Sequence, residues 1–121
     1  MKTLIIPTLL LLTIGHSYAQ ERSIGKADKI MTPYITSEND TLEVGDKIML
    51  LEGTGTDGKF VYVRTINQYN EPSLPADSRV ASQRHVIEYF KEQEGVVFLF
   101  TKGFVVNIES ALRRKEIGLL K

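Results

Sequence analysis

Residues 96–108 read VVFLFTKGFVVNI, and this stretch decides the fold that the sequence predicts. Two runs rich in β-branched and aromatic residues, 96–101 and 104–108, flank the pair Lys102-Gly103. Such side chains favour strands, and a short connection containing glycine between two such runs is typical of a hairpin. The sequence therefore predicts two antiparallel strands joined by a tight turn.

The chain just before this hairpin predicts a third strand. Residues 85–91 read HVIEYFK, with strand formers over most of positions 86–90, and residues 92–95 (EQEG) have the composition of a hairpin connection. The alternative is a helix over residues 79–94, capped by Asp77 or Ser78, which would make the fold α+β. We favour the strand because β-branched and aromatic side chains dominate the segment.

Two further strands are predicted over residues 47–52 and 60–66. The first carries four consecutive apolar residues between charged ones, and the second is rich in β-branched and aromatic side chains. Residues 53–58 (GTGTDG) contain three glycines and lie between the two runs. We expect this glycine-rich segment to be a hairpin loop that joins the two strands.

Alternation along the second of these strands predicts which side chains face inward. One face carries Val61, Val63 and Thr65, and the other carries Phe60, Tyr62, Arg64 and Ile66. A small barrel has room inside for compact branched side chains, so we place the valines inward and Tyr62 and Arg64 outward. The opposite assignment stays open, because Phe60 and Ile66 also need cover.

The predicted elements define a mainly β domain over residues 41–121. Residues 67–82 form the longest irregular stretch, and residues 109–116 predict a short C-terminal helix that closes near Gly118. Residues 20–40 form an N-terminal extension, of which 20–29 is expected to be a mobile lead-in. Five short strands in this order predict a small five-stranded β-barrel with one helix.

Two segments resemble known proteins. Residues 42–48 (LEVGDKI) resemble the segment that enters a strand in SH3-like barrels, and residues 104–117 (FVVNIESALRRKEI) are similar to the ending of small exported bacterial proteins of unknown function. The resemblance implies an SH3-like fold, in which ligands lie in an aromatic-lined groove between long loops. It implies no activity, because such barrels serve many unrelated functions.

The N-terminus has the pattern of a cleavable secretory signal over residues 1–19. Lys2 precedes an apolar run from Leu4 to Ile14, and Ser17-Tyr18-Ala19 has the small-x-small form that signal peptidase cleaves. The run is shorter than the roughly 20 residues that a membrane-spanning helix needs. The signal sequence predicts a bacterial protein that is periplasmic or secreted, with no stable membrane span after cleavage.

Charge and cysteine content exclude several classes of function. The chain has 15 basic and 15 acidic residues, and the loss of Lys2 with the signal leaves an excess of one acidic residue. Nucleic acids and anionic lipid surfaces require a concentrated basic face, so neither is an expected partner. The sequence has no cysteine, which excludes thiol catalysis, disulfides and cysteine-ligated metals.

Catalytic and metal-binding patterns are weak. His85 is the only histidine beyond the predicted signal, and Ser82, Ser110 and Asp77 are triad partners in sequence alone. The acidic residues over 38–46 do not have the spacing of a calcium-binding loop, and no segment has a cofactor-binding motif. We therefore predict no enzyme activity, no metal and no cofactor.

Three tyrosines and an arginine are the candidate binding residues: Tyr62, Arg64, Tyr69 and Tyr89. Tyrosine combines a large apolar surface with a polar hydroxyl, and the long stretch 67–82 would form one wall of a groove beside it. The sequence favours a non-catalytic binding or structural module whose partner is a peptide, a cell-wall fragment or an envelope protein. The alternative is a small secreted hydrolase or enzyme inhibitor on the same barrel.

The export signal makes a direct prediction about processing. When the full chain is expressed in a Gram-negative host, mass spectrometry of the exported protein should show a mature chain that begins at Gln20. A product that retains Met1 and fractionates with membranes would contradict the signal-peptide assignment.

Overall fold

The computed structural model describes residues 24–120, so the predicted signal peptide lies outside the described residues. The described chain is mainly β, with ten strands in three sheets and one short α-helix. The elements are β1 (Tyr34–Ile35), β2 (Thr41–Leu42), β3 (Lys47–Leu50), β4 (Val63–Ile66), β5 (Pro72–Pro75), β6 (Arg84–Val86), β7 (Tyr89–Gln93), β8 (Val96–Phe100), β9 (Phe104–Asn107), α1 (Ile108–Arg113) and β10 (Ile117–Leu119). Over residues 24–120, no helix is long and apolar enough to cross a membrane.

Residues 96–107 form the β8–β9 hairpin at the centre of a five-stranded sheet. The strand order is β5-β4-β9-β8-β7, and Phe100 pairs with Val105 at the closed end of the hairpin. Both strands predicted over residues 96–108 are therefore confirmed. The last predicted residue, Ile108, instead begins α1.

The segment predicted as strand over residues 85–91 is confirmed, and the alternative helix over residues 79–94 is wrong. It forms β6 and β7, and the β7–β8 turn has positive φ at Glu94 and Gly95, as a two-residue hairpin turn requires. The Glu88 N–H still donates to the carbonyl oxygen of Phe100, with which Tyr89 pairs. Before this point β6 belongs to a second sheet, of order β10-β3-β6.

One buried cluster joins the two larger sheets. From the five-stranded sheet, Val63, Val106, Leu99 and Phe90 form a row of paired residues whose side chains are at most 1% exposed. They pack in the same cluster as three side chains near or within the three-stranded sheet: Ile48, Leu50 and Ile117. The core therefore lies between these sheets.

The predicted hairpin between residues 47–52 and 60–66 is wrong, because the two segments belong to different sheets. Both sides of β3 are occupied, by β6 and by β10, whereas β4 pairs with β5 and β9. A Cβ on Gly53 would lie 2.0 Å from the carbonyl oxygen of Gly58, so the glycine-rich loop folds back tightly on itself. This close approach redirects the chain into the other sheet.

The inward assignment of the valines is correct for Val63 and wrong for Val61. Val63 is fully buried in β4, whereas Val61 is 38% exposed and Phe60, which we placed outward, is 1% exposed. The alternation fails because residues 60–62 precede the strand. The N–H groups of Val61 and Tyr62 both donate to the Glu116 carboxylate, and two consecutive amides cannot point in the same direction in a regular strand.

Three other expectations are corrected. Residues 67–82 are not wholly irregular, because β5 runs along the sheet edge, where Pro72 and Pro75 are tolerated. The terminal helix ends at Arg113, and Gly118 lies within β10 rather than closing the helix. Residues 24–29 are not a mobile lead-in, because Ile24 is fully buried.

The two valines provide a matched test of the fold. Val63→Asp should destabilise the domain by several kcal/mol, a large part of the 5–15 kcal/mol typical of a domain, because it buries an unpaired carboxylate. Val61→Asp should change the free energy of unfolding by about 0.5 kcal/mol or less, because its side chain reaches water. Urea melts of both variants measure the difference, and equal losses would contradict the described register.

Candidate ligand-binding face

The five-stranded sheet has a second face, turned away from the main core, which we call the outer face. Because side chains alternate along a strand, the residues between the buried core positions point to this face. One row of paired residues contains Arg64, Val105, Phe100 and Tyr89, and the next contains Asn107, Phe98 and Lys91. The outer face is therefore aromatic and carries cationic side chains.

The structure brings three of the four predicted binding residues to this face. Tyr62 and Arg64 line a shallow depression of about 10 Å³, whose floor includes Phe98 and Val105. Tyr89 lies on the same face near the opposite edge of the sheet, and its ring stacks on Phe100 with ring centroids 4.9 Å apart. Tyr62 and Arg64 share the depression, whereas Tyr89 is separated from it by Phe100.

Tyr69 lies on the turn between β4 and β5 and is 68% exposed. The Asn67 side chain shapes this turn, since its amide oxygen accepts hydrogen bonds from the N–H groups of Tyr69, at 2.9 Å, and Glu71, at 3.0 Å. Asn70 has a φ of 59°, a conformation that asparagine tolerates well. These hydrogen bonds hold the turn in a defined shape beside the outer face, and Tyr69 is exposed on it.

Sequence reasoning missed the residues that cover part of this face. Residues 24–30, which we call the N-terminal segment, begin with Ile24, which packs in a cluster with Phe98, Phe100 and Val105. Ile30 continues the contact with two backbone hydrogen bonds to Phe90, at 2.7 and 2.9 Å. The only signal in the sequence was a pair of isoleucines in a polar stretch.

Lys91 is a second residue that the sequence analysis missed. Its side chain is only 3% exposed, and its Nζ donates a 2.9 Å hydrogen bond to the carbonyl oxygen of Gly25. The ammonium group also lies 5.1 Å from the centroid of the Phe100 ring, and a cation at this distance is attracted to the ring by a cation–π interaction. Burial lowers the pKa of Lys91, and the charge of Lys29 lowers it further.

Gly25 lies in a narrow space between Lys91 and the 67–71 turn. A Cβ at this position would lie 2.9 Å from the carbonyl oxygen of Asn70 and 2.8 Å from the side chain of Glu71. Real Cβ atoms almost never approach a backbone atom so closely, so the contact requires glycine or a shift of the segment. The N-terminal segment therefore fits its position on the outer face closely.

A buried carboxylate positions Tyr62 at the edge of the outer face. Glu116 is fully buried, and its oxygens accept hydrogen bonds from four donors: Thr54 N, Thr54 Oγ1, Val61 N and Tyr62 N, at 2.7 to 2.8 Å. In return, the carbonyl oxygen of Tyr62 accepts from the Asn107 N–H at 3.1 Å. Tyr62 is thus attached through both of its backbone polar groups.

A separate cleft of about 180 Å³ lies between α1 and the β1–β2 hairpin, lined in part by Ser37, Glu109 and Arg113. Glu109 accepts hydrogen bonds from the Tyr34 hydroxyl and from the backbone and side chain of Ser37. Burial, the bond to Glu109 and its charge raise the pKa of Tyr34 to about 12. Burial alone would raise the pKa of Glu109, but the bonds from Tyr34 and Ser37 outweigh it and the pKa is lowered. The hydrogen bonds that Glu109 accepts from Tyr34 and Ser37 attach the β1–β2 hairpin to α1.

His85 lies in β6 and contacts two side chains outside that strand. Its Nε2 lies 3.2 Å from Gln83 Oε1, and its ring packs edge-on against Phe104 with centroids 4.9 Å apart. Burial lowers the pKa of His85, which favours the neutral ring. The described contacts of His85 include neither Ser82 nor Ser110, so they do not form a triad. Among residues 24–120, no group of three His, Asp or Glu side chains is placed to hold a metal ion.

No protein-family model, curated protein or solved structure matches this chain.

The Glu116 arrangement predicts a large effect from a nearly isosteric change. In Glu116→Gln, the side-chain amide would place donors against the N–H groups that the carboxylate now accepts from. Because hydrogen bonds to a charged group contribute about 1.5–3 kcal/mol each, we expect a loss of at least about 2 kcal/mol in urea melts. Glu92→Gln, an exposed change in β7, should stay within about 0.5 kcal/mol. A Glu116→Gln protein as stable as Glu92→Gln would contradict this role.

Proposed function

We propose that this chain is an exported, non-catalytic binding or structural module that acts in the bacterial periplasm or outside the cell. The observation that carries the proposal is the outer face, on which Tyr62, Arg64 and Tyr89 lie beside Phe98 and Phe100, two buried rings that Ile24 of the N-terminal segment covers. Aromatic surface beside a cation and polar amides is the usual composition of a recognition site. The ligand class is a peptide, a cell-wall fragment or an envelope protein.

The proposal includes an SH3-like five-stranded barrel as the scaffold. The strand order supports it, because β6 and β7 act as one bent strand that pairs with β3 in one sheet and with β8 in the other. With β8, β9 and β10 this makes five strands around a shared core, in which β10 takes the place of the strand predicted over residues 60–66, and α1 lies between the last two. The β4–β5 hairpin is then an insertion that widens one sheet and contributes the Tyr69 turn.

The proposal of a non-catalytic role is supported by how the buried or partly buried titratable groups are used. The Glu116 carboxylate accepts from backbone and threonine donors, Glu109 accepts from Tyr34 and Ser37, and Lys91 donates to a backbone carbonyl. His85 contacts Gln83 and Phe104. Each of these contacts stabilises the fold, and none directs a nucleophile towards a substrate.

The proposal is tested by binding to arrays of immobilised short peptides and purified peptidoglycan fragments. The full chain, exported from a Gram-negative host, should retain a ligand whose affinity falls at least about tenfold in Arg64→Ala and in Tyr69→Ala, a loss of about 1.4 kcal/mol each. These changes leave the buried core intact, since neither side chain belongs to it.

Two exposed changes away from the outer face serve as controls. Arg79→Ala matches the change at Arg64, and Val86→Ala removes an exposed apolar side chain from β6. Neither should affect retention. Equal retention by wild type and an Arg64→Ala/Tyr69→Ala double variant would contradict the binding face. Turnover of an ester, peptide or glycan substrate that is lost in His85→Asn would contradict the non-catalytic role.

A further inference from the structure

The outer face already holds a short peptide, which is the chain's own N-terminal segment. Residues 24–26 form one 3-10 turn, closed by the Ala27 N–H donating to Ile24 O at 3.1 Å, and the chain then runs on to its backbone pairing at Ile30. Ile24 is separated by more than seventy residues of sequence from Phe98, Phe100 and Val105, with which it packs. The segment is therefore docked on the sheet as a separate ligand would be.

Three kinds of contact hold the segment, and each has a counterpart in peptide recognition. Ile24 is fully buried among Phe98, Phe100 and Val105, which is an aliphatic side chain in an aromatic-lined pocket. The Lys91 ammonium group binds the carbonyl oxygen of Gly25. Ile30 pairs its backbone with Phe90 at the outer edge of β7, as in strand addition to a sheet edge.

The predicted binding residues surround this docked segment. The depression lined by Tyr62 and Arg64 shares Phe98 and Val105 with the Ile24 pocket. The turn that carries Tyr69 contacts Gly25 through Asn70 and Glu71. On the other side, the Lys29 ammonium group lies 4.5 Å from the centroid of the Tyr89 ring.

The segment is also placed so that it can leave without opening the main buried cluster. Lys26, Asp28 and Lys29 are exposed, whereas the half-buried Ala27 packs against the Ile24 cluster. Residues 31–33, which connect the segment to β1, are exposed as well. A segment with one fully buried side chain and a few hydrogen bonds belongs to the low-stability part of a fold. Ile24 is not part of the main cluster, and Ile30, which is half-buried, packs against it from outside.

We infer that the outer face is a groove for a short peptide with an aliphatic residue followed by glycine, and that residues 24–30 occupy it as an autoinhibitory segment. This inference rests on the proposed binding function and specifies its ligand and its regulation. The aliphatic side chain enters the Phe98–Phe100–Val105 pocket. The glycine passes the 67–71 turn, where a Cβ would collide, and its carbonyl oxygen accepts from Lys91.

Competition between the segment and an external peptide follows from effective concentration. A tethered segment competes at a local concentration in the millimolar range, so an external peptide binds only to the fraction of molecules whose groove is open. A change that releases the segment raises that fraction. It therefore strengthens external binding, although it removes contacts from the protein itself.

The test measures fluorescence polarisation of a labelled peptide, IGKADKIM, which copies residues 24–31. The full chain with Ile24→Asp should bind this peptide at least about tenfold more tightly than wild type, because the charged side chain leaves the apolar pocket. Gly25→Ala, which displaces the segment by a steric clash instead of a charge, should act in the same direction. Ile35→Asp is the matched control at an exposed position and should bind as wild type does.

The same two changes made in the peptide should abolish its binding to the Ile24→Asp protein. Circular dichroism checks that the Ile24→Asp and Gly25→Ala proteins are folded. If both are folded and neither binds the peptide more tightly than wild type, the inference is overturned. If the released proteins fail in this way but Arg64→Ala still weakens binding of the array ligand, only the autoinhibition is wrong. If Arg64→Ala also retains the array ligand fully, the binding face itself is wrong.

Discussion

A carboxylate without a cationic partner is the constraint on which the rest of the described structure depends. Burying the charge of Glu116 is costly, and four short hydrogen bonds from Thr54, Val61 and Tyr62 offset that cost in place of an ion pair. Because the donors lie on the crossing from β3 to β4, the carboxylate determines where the chain leaves one sheet and enters the other. The backbone carbonyl of Glu116 completes the link by accepting from Leu51 at 2.8 Å.

The effect of this constraint extends to the outer face. The crossing delivers Tyr62 to the sheet in a defined orientation, and β4 then continues in register beside β9, with Arg64 opposite Val105. Near the opposite edge of the outer face lies a second buried charge, that of Lys91. A backbone carbonyl and aromatic rings compensate for its burial. Two buried charges, Glu116 beside the entry to β4 and Lys91 on β7, thus organise the aromatic outer face, which also carries Arg64.

Local patterns predicted the centre of the fold well. The β8–β9 hairpin, the β7–β8 turn and the helix near residue 109 follow from neighbouring side chains, because strand formers, turn residues and helix formers act over a few positions. The sequence also indicated Tyr62, Arg64, Tyr69 and Tyr89 as binding candidates, and three of them lie on one face. The sequence did not indicate that Phe98 and Phe100 lie beneath them, because a strand pattern does not show which face of a sheet a buried aromatic side chain covers.

The sequence by itself determined the mainly β class and the central hairpin, since these depend on composition and on strand and turn patterns that span a few residues. Only the tertiary structure decided the exposure of Val61, the separation of β3 from β4 and the docking of Ile24. Each depends on a contact between residues more than fifty positions apart: Glu116 with Val61, β10 with β3, and Ile24 with Phe98. Such pairings leave no local pattern, because a glutamate near a helix end and an isoleucine in a polar stretch look the same whether they are exposed or buried.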